Sequence, residues 1–137
     1  AEMLAGGHGK HVSMFYGVVE LSAGRLCYGN GGQFPFPILA DGATRYIGRK
    51  SAPVGLFGFT EYRSETLDLA ERFALAMVSD GILETLPGGD LAGKKACLLE
   101  KLASPECDID ALAGALGLAD GVAVPDDITL LLLRREG

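Results

Sequence analysis

Two acidic motifs stand at the ends of apolar stretches, and they constrain this chain more than any other feature. Residues 77–81 read Met-Val-Ser-Asp-Gly, so one apolar stretch stops at Asp80, whereas Asp126 and Asp127 open the stretch that follows them. If the two stretches are neighbouring antiparallel strands, the end of the first and the start of the second share a sheet edge, and the carboxylates converge. Each motif alone is typical of an ordinary turn or loop end. Together they predict an oxygen-rich site for a hard divalent cation, Mg²⁺ or Mn²⁺.

Length and composition set the class of protein. The chain has 137 residues, 48% of them hydrophobic, which predicts one globular domain with a real core. A net charge of −6 argues against a nucleic-acid surface, and the apolar stretches are too short to span a membrane. The start of the chain lacks a signal-peptide pattern, and three cysteines without C-x-x-C spacing favour a reducing compartment. We therefore expect a cytoplasmic protein with no nucleic-acid or membrane partner.

The pattern of elements predicts an α+β fold. Residues 11–21 and 128–134 are apolar on both faces, which predicts strands covered on both sides. Turn residues predict hairpins at 22–24 and at 41–42, and residues 61–69 alternate as an edge strand does. Asp90 is a candidate cap of a first helix, and a second helix should end at Gly117. The predicted core residues on these strands are Val12, Met14, Val18, Leu75, Met77, Leu130 and Leu132.

Several ordered stretches resemble a known family, the SpoIIE-type domains, which are the bacterial branch of the metal-dependent 2C-type Ser/Thr protein phosphatases. The segments that carry the resemblance are 14–18 (MFYGV), 24–33 (GRLCYGNGGQ), 53–56 (PVGL), 79–84 (SDGILE) and 126–130 (DDITL). The last two are similar to the family patterns T-D-G-V-T-E and D-D-I-T-L. The resemblance covers nearly the whole chain, and within the family it looks most like the output domain of response regulators of the RssB kind.

The resemblance implies a fold and a site. The fold would be a layered α-β-β-α sandwich, of which residues 1–137 would form a single phosphatase-like domain, the C-terminal part of a larger one, with residues 1–10 as an N-terminal loop. Asp80 and Asp126 would bind one metal, and Asp127 would support the ligands from just outside the coordination sphere. The cofactor would be a pair of Mn²⁺ or Mg²⁺ ions. No side-chain nucleophile is expected, because a metal-activated water attacks phosphorus.

The chain departs from the family pattern in its front part. The motifs Gly-Asp-x-x-Asp and Asp-x-x-Gly-His-Gly, the second of which supplies the Asp that bridges the two metals, are absent from these residues. Gly7-His8-Gly9 only echoes the end of the second, and Gln33 stands where the family usually has His. We therefore expect the isolated chain to be inactive. Missing strands would leave open sheet edges, which favours a homodimer or strand exchange.

Two functions from different classes follow. The first is a protein serine/threonine phosphatase, preceded by a receiver domain, whose substrate is a phosphorylated anti-sigma-factor antagonist. The alternative is a degenerate phosphatase-like adaptor that binds a sigma factor or its regulators without catalysis. Retention of Asp80, Asp126 and Asp127 favours the enzyme, because clustered carboxylates without a cation cost stability. Gln33 and the absent front motifs favour the adaptor.

Three other patterns are weaker. Residues 88–95 (GGDLAGKK) nearly match a phosphate-binding loop, but Lys95 stands where Ser or Thr binds Mg²⁺, so we interpret them as a polar loop and a helix start. His8 and His11 have metal-like spacing but no third ligand nearby. Residues 29–32, rich in glycine, are interpreted as a turn, because no helix follows them as a dinucleotide fingerprint requires.

Overall fold

The computed structural model describes residues 13–48, 64–87, 89–102, 108–118 and 127–136. The chain divides into two compact units, one comprising Ala1–Phe34 and Gly48–Leu69, the other Pro35–Ile47 and Ala70–Gly137. Each unit is described by itself. The predicted loop over residues 1–10, together with His8 and His11, lies outside the described residues.

Strands dominate the described residues, and two helices lie between the last two strands. The elements in chain order are β1 (Met14–Glu20), β2 (Arg25–Gly31), β3 (Ile38–Ala40), β4 (Thr44–Tyr46), β5 (Glu65–Asp68), β6 (Arg72–Val78), a 3-10 helix (Asp80–Glu84), α1 (Leu91–Lys101), α2 (Ile109–Ala115) and β7 (Leu130–Glu136). The α+β class is thereby confirmed. No helix in the described ranges is long and apolar enough to cross a membrane.

The first unit holds an antiparallel sheet of three strands in the order β1-β2-β5. The predicted hairpin between β1 and β2 is present, and its turn depends on Gly24, whose φ of 61° is a conformation that glycine adopts without strain. The rings of Phe15 and Tyr28 stack with centroids 5.6 Å apart on the face of the sheet that also carries the buried Leu26. The predicted edge strand is β5, which pairs only with β2 among the described strands.

The prediction that the strand near residues 11–21 is covered on both faces is wrong. Met14 and Val18 are exposed, Val18 to 65%, whereas Leu26 and Tyr28 on the opposite face of the sheet are buried. Pairing explains the difference, because residues directly opposite each other in antiparallel strands share a face, and Val18 pairs with the exposed Cys27. Val12 lies outside the described residues.

The interpretation of residues 29–32 as a turn also needs correction. Strand β2 continues through Gly31, and only Gly32, with a φ of 80°, leaves the strand conformation. A side chain at residue 29 would collide with the ring of Tyr16, which pairs with Gly29 across the sheet. The glycine at this position therefore makes room for an aromatic ring inside a paired strand.

The second unit holds an antiparallel sheet of four strands in the order β4-β3-β6-β7. One face of this sheet forms the main hydrophobic core with the helices. The buried members of that core are Ile38, Ala40, Ala74, Ala76, Val78, Ile82, Leu86, Leu98, Leu102, Leu112 and Leu116. Small alanines on the strands let the helices approach closely, and the leucines of α1 and α2 fill the space above them.

The opposite face of the four-stranded sheet is buried in its centre and open at β7. Leu39 and Leu75 are buried there, as predicted for Leu75, and Met77 is half-buried. On β7, however, Leu131 is 59% exposed and Leu133 is also exposed, so complete cover of this strand is a wrong prediction. The alternate residues of β7, Leu130 and Leu132, are half-buried against the helical core.

Both helices begin at aspartates that cap them. Asp90 Oδ1 accepts the N–H of Gly93 at 2.8 Å, which confirms the predicted cap of α1, and Asp108 Oδ1 accepts the N–H of Ala111 at 2.7 Å at the start of α2. Past the end of α2, Gly117 has a φ of 74°, as the predicted helix end requires. Leu91, the first residue of α1, is 49% exposed and does not share the buried face of that helix.

Two side chains of β4 hold helix α1 on the sheet. The Tyr46 hydroxyl donates to the carbonyl oxygen of Lys95 at 2.7 Å, and the Lys95 ammonium lies 5.4 Å from the centre of the Tyr46 ring. The Thr44 hydroxyl donates to the carbonyl oxygen of Leu102 at 3.1 Å, which satisfies a carbonyl at the C-terminus of α1. Burial, and secondarily the nearby Cys97, raises the pKa of Tyr46 to about 12.

We predict that Leu98→Ala destabilises the protein far more than Leu91→Ala. Leu98 is 1% exposed in the core and Leu91 is 49% exposed on the same helix. Leu98→Ala should lower the free energy of unfolding by about 2–5 kcal/mol, because it leaves a cavity in the core. Leu91→Ala should lower it by less than about 1 kcal/mol. Urea unfolding followed by circular dichroism measures both. Equal losses in the two variants would contradict the position of α1.

A second prediction concerns alkaline pH and Tyr46→Phe. The pKa of Tyr46 in the folded chain, about 12, exceeds the ordinary value of 10.0, so its stabilising contribution is intact below pH 10 and is lost as the pH rises through about 12. Wild type should be more stable than Tyr46→Phe by about 1 kcal/mol at pH 8, the worth of one hydrogen bond, and that advantage should shrink above pH 10.

Denaturant unfolding at several pH values measures this difference. Tyr16→Phe is the matched control, because the Tyr16 hydroxyl is exposed and its hydrogen bond with Ser64 Oγ is long at 3.4 Å. A difference between wild type and Tyr46→Phe that stays constant up to pH 12 would refute the role assigned to the Tyr46 hydroxyl.

Candidate metal centre

The pairing of β6 with β7 brings the two acidic motifs to the same sheet edge. The strands are antiparallel through seven paired positions, from Arg72 opposite Glu136 to Val78 opposite Leu130. Strand β6 therefore ends where β7 begins. Asp80 follows the end of β6 and Asp127 precedes the start of β7, and both side chains are exposed. The arrangement of strands assumed in the sequence argument is thus the observed one.

Beyond the last regular strand pair, two hydrogen bonds join the two motifs. The backbone N–H of Ser79 donates to the carbonyl oxygen of Thr129 at 3.0 Å. In return, the backbone N–H of Thr129 donates to Ser79 Oγ at 2.8 Å. The residue before Asp80 is therefore tied directly to the residue two positions after Asp127.

A short 3-10 helix sets the position of Asp80. Asp80 is its first residue, and the chain then turns inward, so that Gly81 and Ile82 are buried. Ile82 is 0% exposed and belongs to the main core. Ile82 is thus packed in the core two residues after Asp80, while the Asp80 side chain is exposed to solvent at the sheet edge.

The described residues include part of the predicted metal site. Asp126 lies outside them, so its position at the edge stays a prediction. Within the ranges that the structure describes, three or more His, Cys, Asp or Glu side chains do not gather closely enough to hold a metal. The donors that do reach the edge, the carboxylates of Asp80 and Asp127, are of the oxygen type that Mn²⁺ and Mg²⁺ prefer. The chemistry of this donor set fits such a cation, and the assignment of Asp80, Asp126 and Asp127 to it stays a prediction.

The phosphate-loop-like segment near α1 has a structural role in this chain. The Asp90 carboxylate occupies the N-terminus of α1 by accepting the N–H of Gly93. A carboxylate at that place repels phosphate and takes the backbone donor that a phosphate would use. For residues 89–95, which the structure describes, this agrees with the interpretation of residues 88–95 as a polar loop and a helix start.

The turn after β2 is held by Asn30 and the backbone of Gln33. The N–H of Gln33 donates to Asn30 Oδ1 at 2.8 Å, and Asn30 Nδ2 donates to the carbonyl oxygen of Gln33 at 3.3 Å. Both bonds to residue 33 use backbone atoms. The presence of Gln instead of the usual family His therefore leaves this turn intact.

Sequence reasoning missed the part that Ser79 plays. A serine directly before a helix is usually interpreted as the cap of that helix. Ser79 stands at the N-cap position, yet its side chain makes no capping bond and accepts from Thr129 instead. The partner is 50 residues away in sequence, and no local pattern signals it.

Comparison with known proteins decides the family. The SpoIIE family, described as Stage II sporulation protein E, matches residues 2–136 of the chain. The chain belongs to the SpoIIE family. This assignment makes it a SpoIIE-type domain of the PP2C phosphatases, as the acidic motifs and their neighbouring stretches indicated. Among curated proteins, no sequence matches the chain.

Solved structures agree with the family. The RsbU and RsbW domains of Rv1364c from Mycobacterium tuberculosis match 90% of this chain with a TM-score of 0.69 and 28% identity. The phosphatase domain of SpoIIE from Bacillus subtilis, in a Mn-presoaked form, matches 91% with a TM-score of 0.62. At 18% identity, this second likeness shows the fold alone. This chain spans 37% and 56% of the lengths of those two solved chains.

We predict that Asp80→Asn weakens Mn²⁺ binding by the full-length protein at least about 10-fold, because the change removes a negative charge from an oxygen donor set. Asp126→Asn should have a similar effect. The Mn²⁺ concentration that half-saturates the rise in melting temperature measures the affinity. Asp110→Asn, an exposed aspartate on α2, is the control and should leave the affinity unchanged. An Asp80→Asn protein with wild-type affinity would exclude Asp80 as a ligand.

Proposed function

We propose that the full-length protein containing this chain is a Mn²⁺- or Mg²⁺-dependent protein serine/threonine phosphatase. The observation that carries the proposal is the meeting of the two acidic motifs at one sheet edge, fastened by the reciprocal bonds between Ser79 and Thr129. Because the chain belongs to the SpoIIE family, we interpret the carboxylates at this edge as metal ligands of a phosphatase.

The proposed roles of the residues follow from their places at the edge. Asp80 and Asp126 would hold one cation, and Asp127 would orient those ligands and add negative charge nearby. Bound cations of this kind supply an activated water and offset charge on the phosphoryl group. Ile82, buried two residues after Asp80, would restrict the motion of this segment and so reduce the reorganisation needed when the cation binds.

We propose a phosphorylated anti-sigma-factor antagonist as the substrate, in control of a stress or developmental sigma factor. The support is that the solved relatives are an RsbU-containing protein and SpoIIE, described as a cell fate determinant. A receiver domain before this segment, as in response regulators of the RssB kind, and a cytoplasmic location belong to the same proposal. They rest on the sequence resemblance.

The finer architecture is also proposed. The two antiparallel sheets and the two helices would be parts of a layered α-β-β-α sandwich, and the chain would form its C-terminal part. A homodimer is proposed because Leu131 and Leu133 are exposed on β7, the last strand of the described four-stranded sheet. A self-complementary contact of two such strands would bury this apolar surface.

The alternative function is a phosphatase-like adaptor that binds a sigma factor or its regulators without catalysis. The observation in its favour is the small donor set, since the described residues do not bring three metal-binding side chains together. The substitution at Gln33 carries less weight, because both bonds that hold its turn use the backbone of that residue.

Asp80→Asn and Asp126→Asn should each lower metal-dependent phosphatase activity of the full-length protein by at least about 100-fold, while the circular dichroism spectrum stays that of wild type. The reason is that each change weakens both cation binding and activation of the water. The measurement is release of phosphate from a phosphorylated anti-sigma-factor antagonist, with Mn²⁺ and with a chelator.

Asp110→Asn serves as the control and should retain wild-type activity, because Asp110 lies in the first turn of α2 and outside the acidic motifs. Turnover that is indifferent to the chelator, or unchanged in Asp80→Asn, would falsify the enzyme and leave the adaptor. Binding of the partner should survive in the Asn variants under either function.

A further inference from the structure

Ser79 has the backbone of a helix-capping residue but a side chain that is used elsewhere. Its φ of −76° and ψ of 160° are those of an N-cap residue, and the 3-10 helix begins directly after it. A capping serine accepts an N–H from the first turn of its own helix. Ser79 makes no such bond, and its Oγ accepts the N–H of Thr129 at 2.8 Å.

The bond from Thr129 is one half of a closed ring. The other half is the N–H of Ser79, which donates to the carbonyl oxygen of Thr129 at 3.0 Å. Ser79 directly precedes Asp80 in the chain, and Thr129 lies two residues after Asp127. The Ser79 side chain thus adds a second hydrogen bond between two segments that the backbone alone would join by one.

The strand pair does not depend on this tie for its existence. Strands β6 and β7 are already joined through seven paired positions. Removing one side-chain acceptor at their end therefore leaves the sheet paired. It leaves a single hydrogen bond, from the Ser79 N–H to the Thr129 carbonyl, between the two segments beyond the last pair, which carry the acidic residues.

We propose that Ser79 is a positioning residue, whose hydroxyl holds the segments of Asp80 and Asp127 at a fixed separation, so that Asp80 stays in place to bind the cation and Asp127 stays in place to orient its ligands. The inference rests on the metal site of the proposed function, and adds to it a residue that binds neither metal nor substrate. Threonine should serve equally well at this position, since it keeps the hydroxyl, and Thr stands here in the family pattern T-D-G.

The experiment compares three variants of the full-length protein with wild type. Ser79→Ala removes the acceptor and Ser79→Thr keeps it. Thr85→Val is the matched control, because it removes a hydroxyl that also makes a 2.8 Å bond, to the carbonyl oxygen of Ile82 at the far end of the same 3-10 helix. The probe is MnCl₂, and the readout is the Mn²⁺ concentration at half-maximal rise in melting temperature. Hydrogen exchange of the Thr129 amide is followed in parallel.

Ser79→Ala should need about 10-fold more Mn²⁺, the size of effect expected when a group that orients metal ligands is lost. Its Thr129 amide should exchange faster, while its melting temperature without Mn²⁺ stays near that of wild type. Ser79→Thr should return the Mn²⁺ requirement to within about two-fold of wild type, and Thr85→Val should leave it unchanged.

Wild-type Mn²⁺ dependence in Ser79→Ala would overturn the proposal, as would an equal loss in Thr85→Val or no rescue by threonine. The readout does not require turnover. If wild type responds to Mn²⁺ but releases no phosphate, the phosphatase function fails while the comparison of variants still decides the role of Ser79. If wild type shows no response to Mn²⁺, both proposals are overturned.

Discussion

The antiparallel pairing of β6 with β7 is the contact on which the rest of the second unit depends. It joins positions that lie from 52 residues apart (Val78 and Leu130) to 64 residues apart (Arg72 and Glu136), and it decides which residues of the two strands stand opposite each other. Because β6 is also paired with β3, a shift of one residue in this register would turn Leu130 and Leu132 of β7 away from the helical core. It would also break the ring between Ser79 and Thr129. Core packing and the placement of the acidic motifs therefore follow from the same alignment.

The four-stranded sheet uses its two faces differently. Small alanines on β3 and β6 receive the helices, and this face carries the largest buried cluster of the unit. The same packing supports the candidate metal centre, because Ile82 of the 3-10 helix belongs to that cluster while Asp80 beside it faces solvent. A carboxylate close in sequence to a buried residue suits the binding of a small, strongly charged ion, because the ligand loses little motion when the ion binds.

Family membership and catalytic function rest on different observations. The family follows from a match over residues 2–136 and from the shared fold. The reaction depends on a few carboxylates, whose chemistry is a matter of local geometry and charge rather than of fold. In this chain β6 ends where β7 begins, and two hydrogen bonds between Ser79 and Thr129 join the strands at this point.

Local sequence determined the features that local physics controls. Glycines at 24 and 117, and aspartates at 90 and 108, place turns and helix ends because backbone conformation and capping depend on a few neighbouring residues. The acidic motifs likewise marked the ends of β6 and β7. Tertiary structure alone decided which apolar faces are covered, so that Val18 and Leu131 are exposed despite a pattern that predicts burial. It also decided that Ser79 bonds to Thr129 rather than to its own helix, because a partner 50 residues away exists only after the strands have paired.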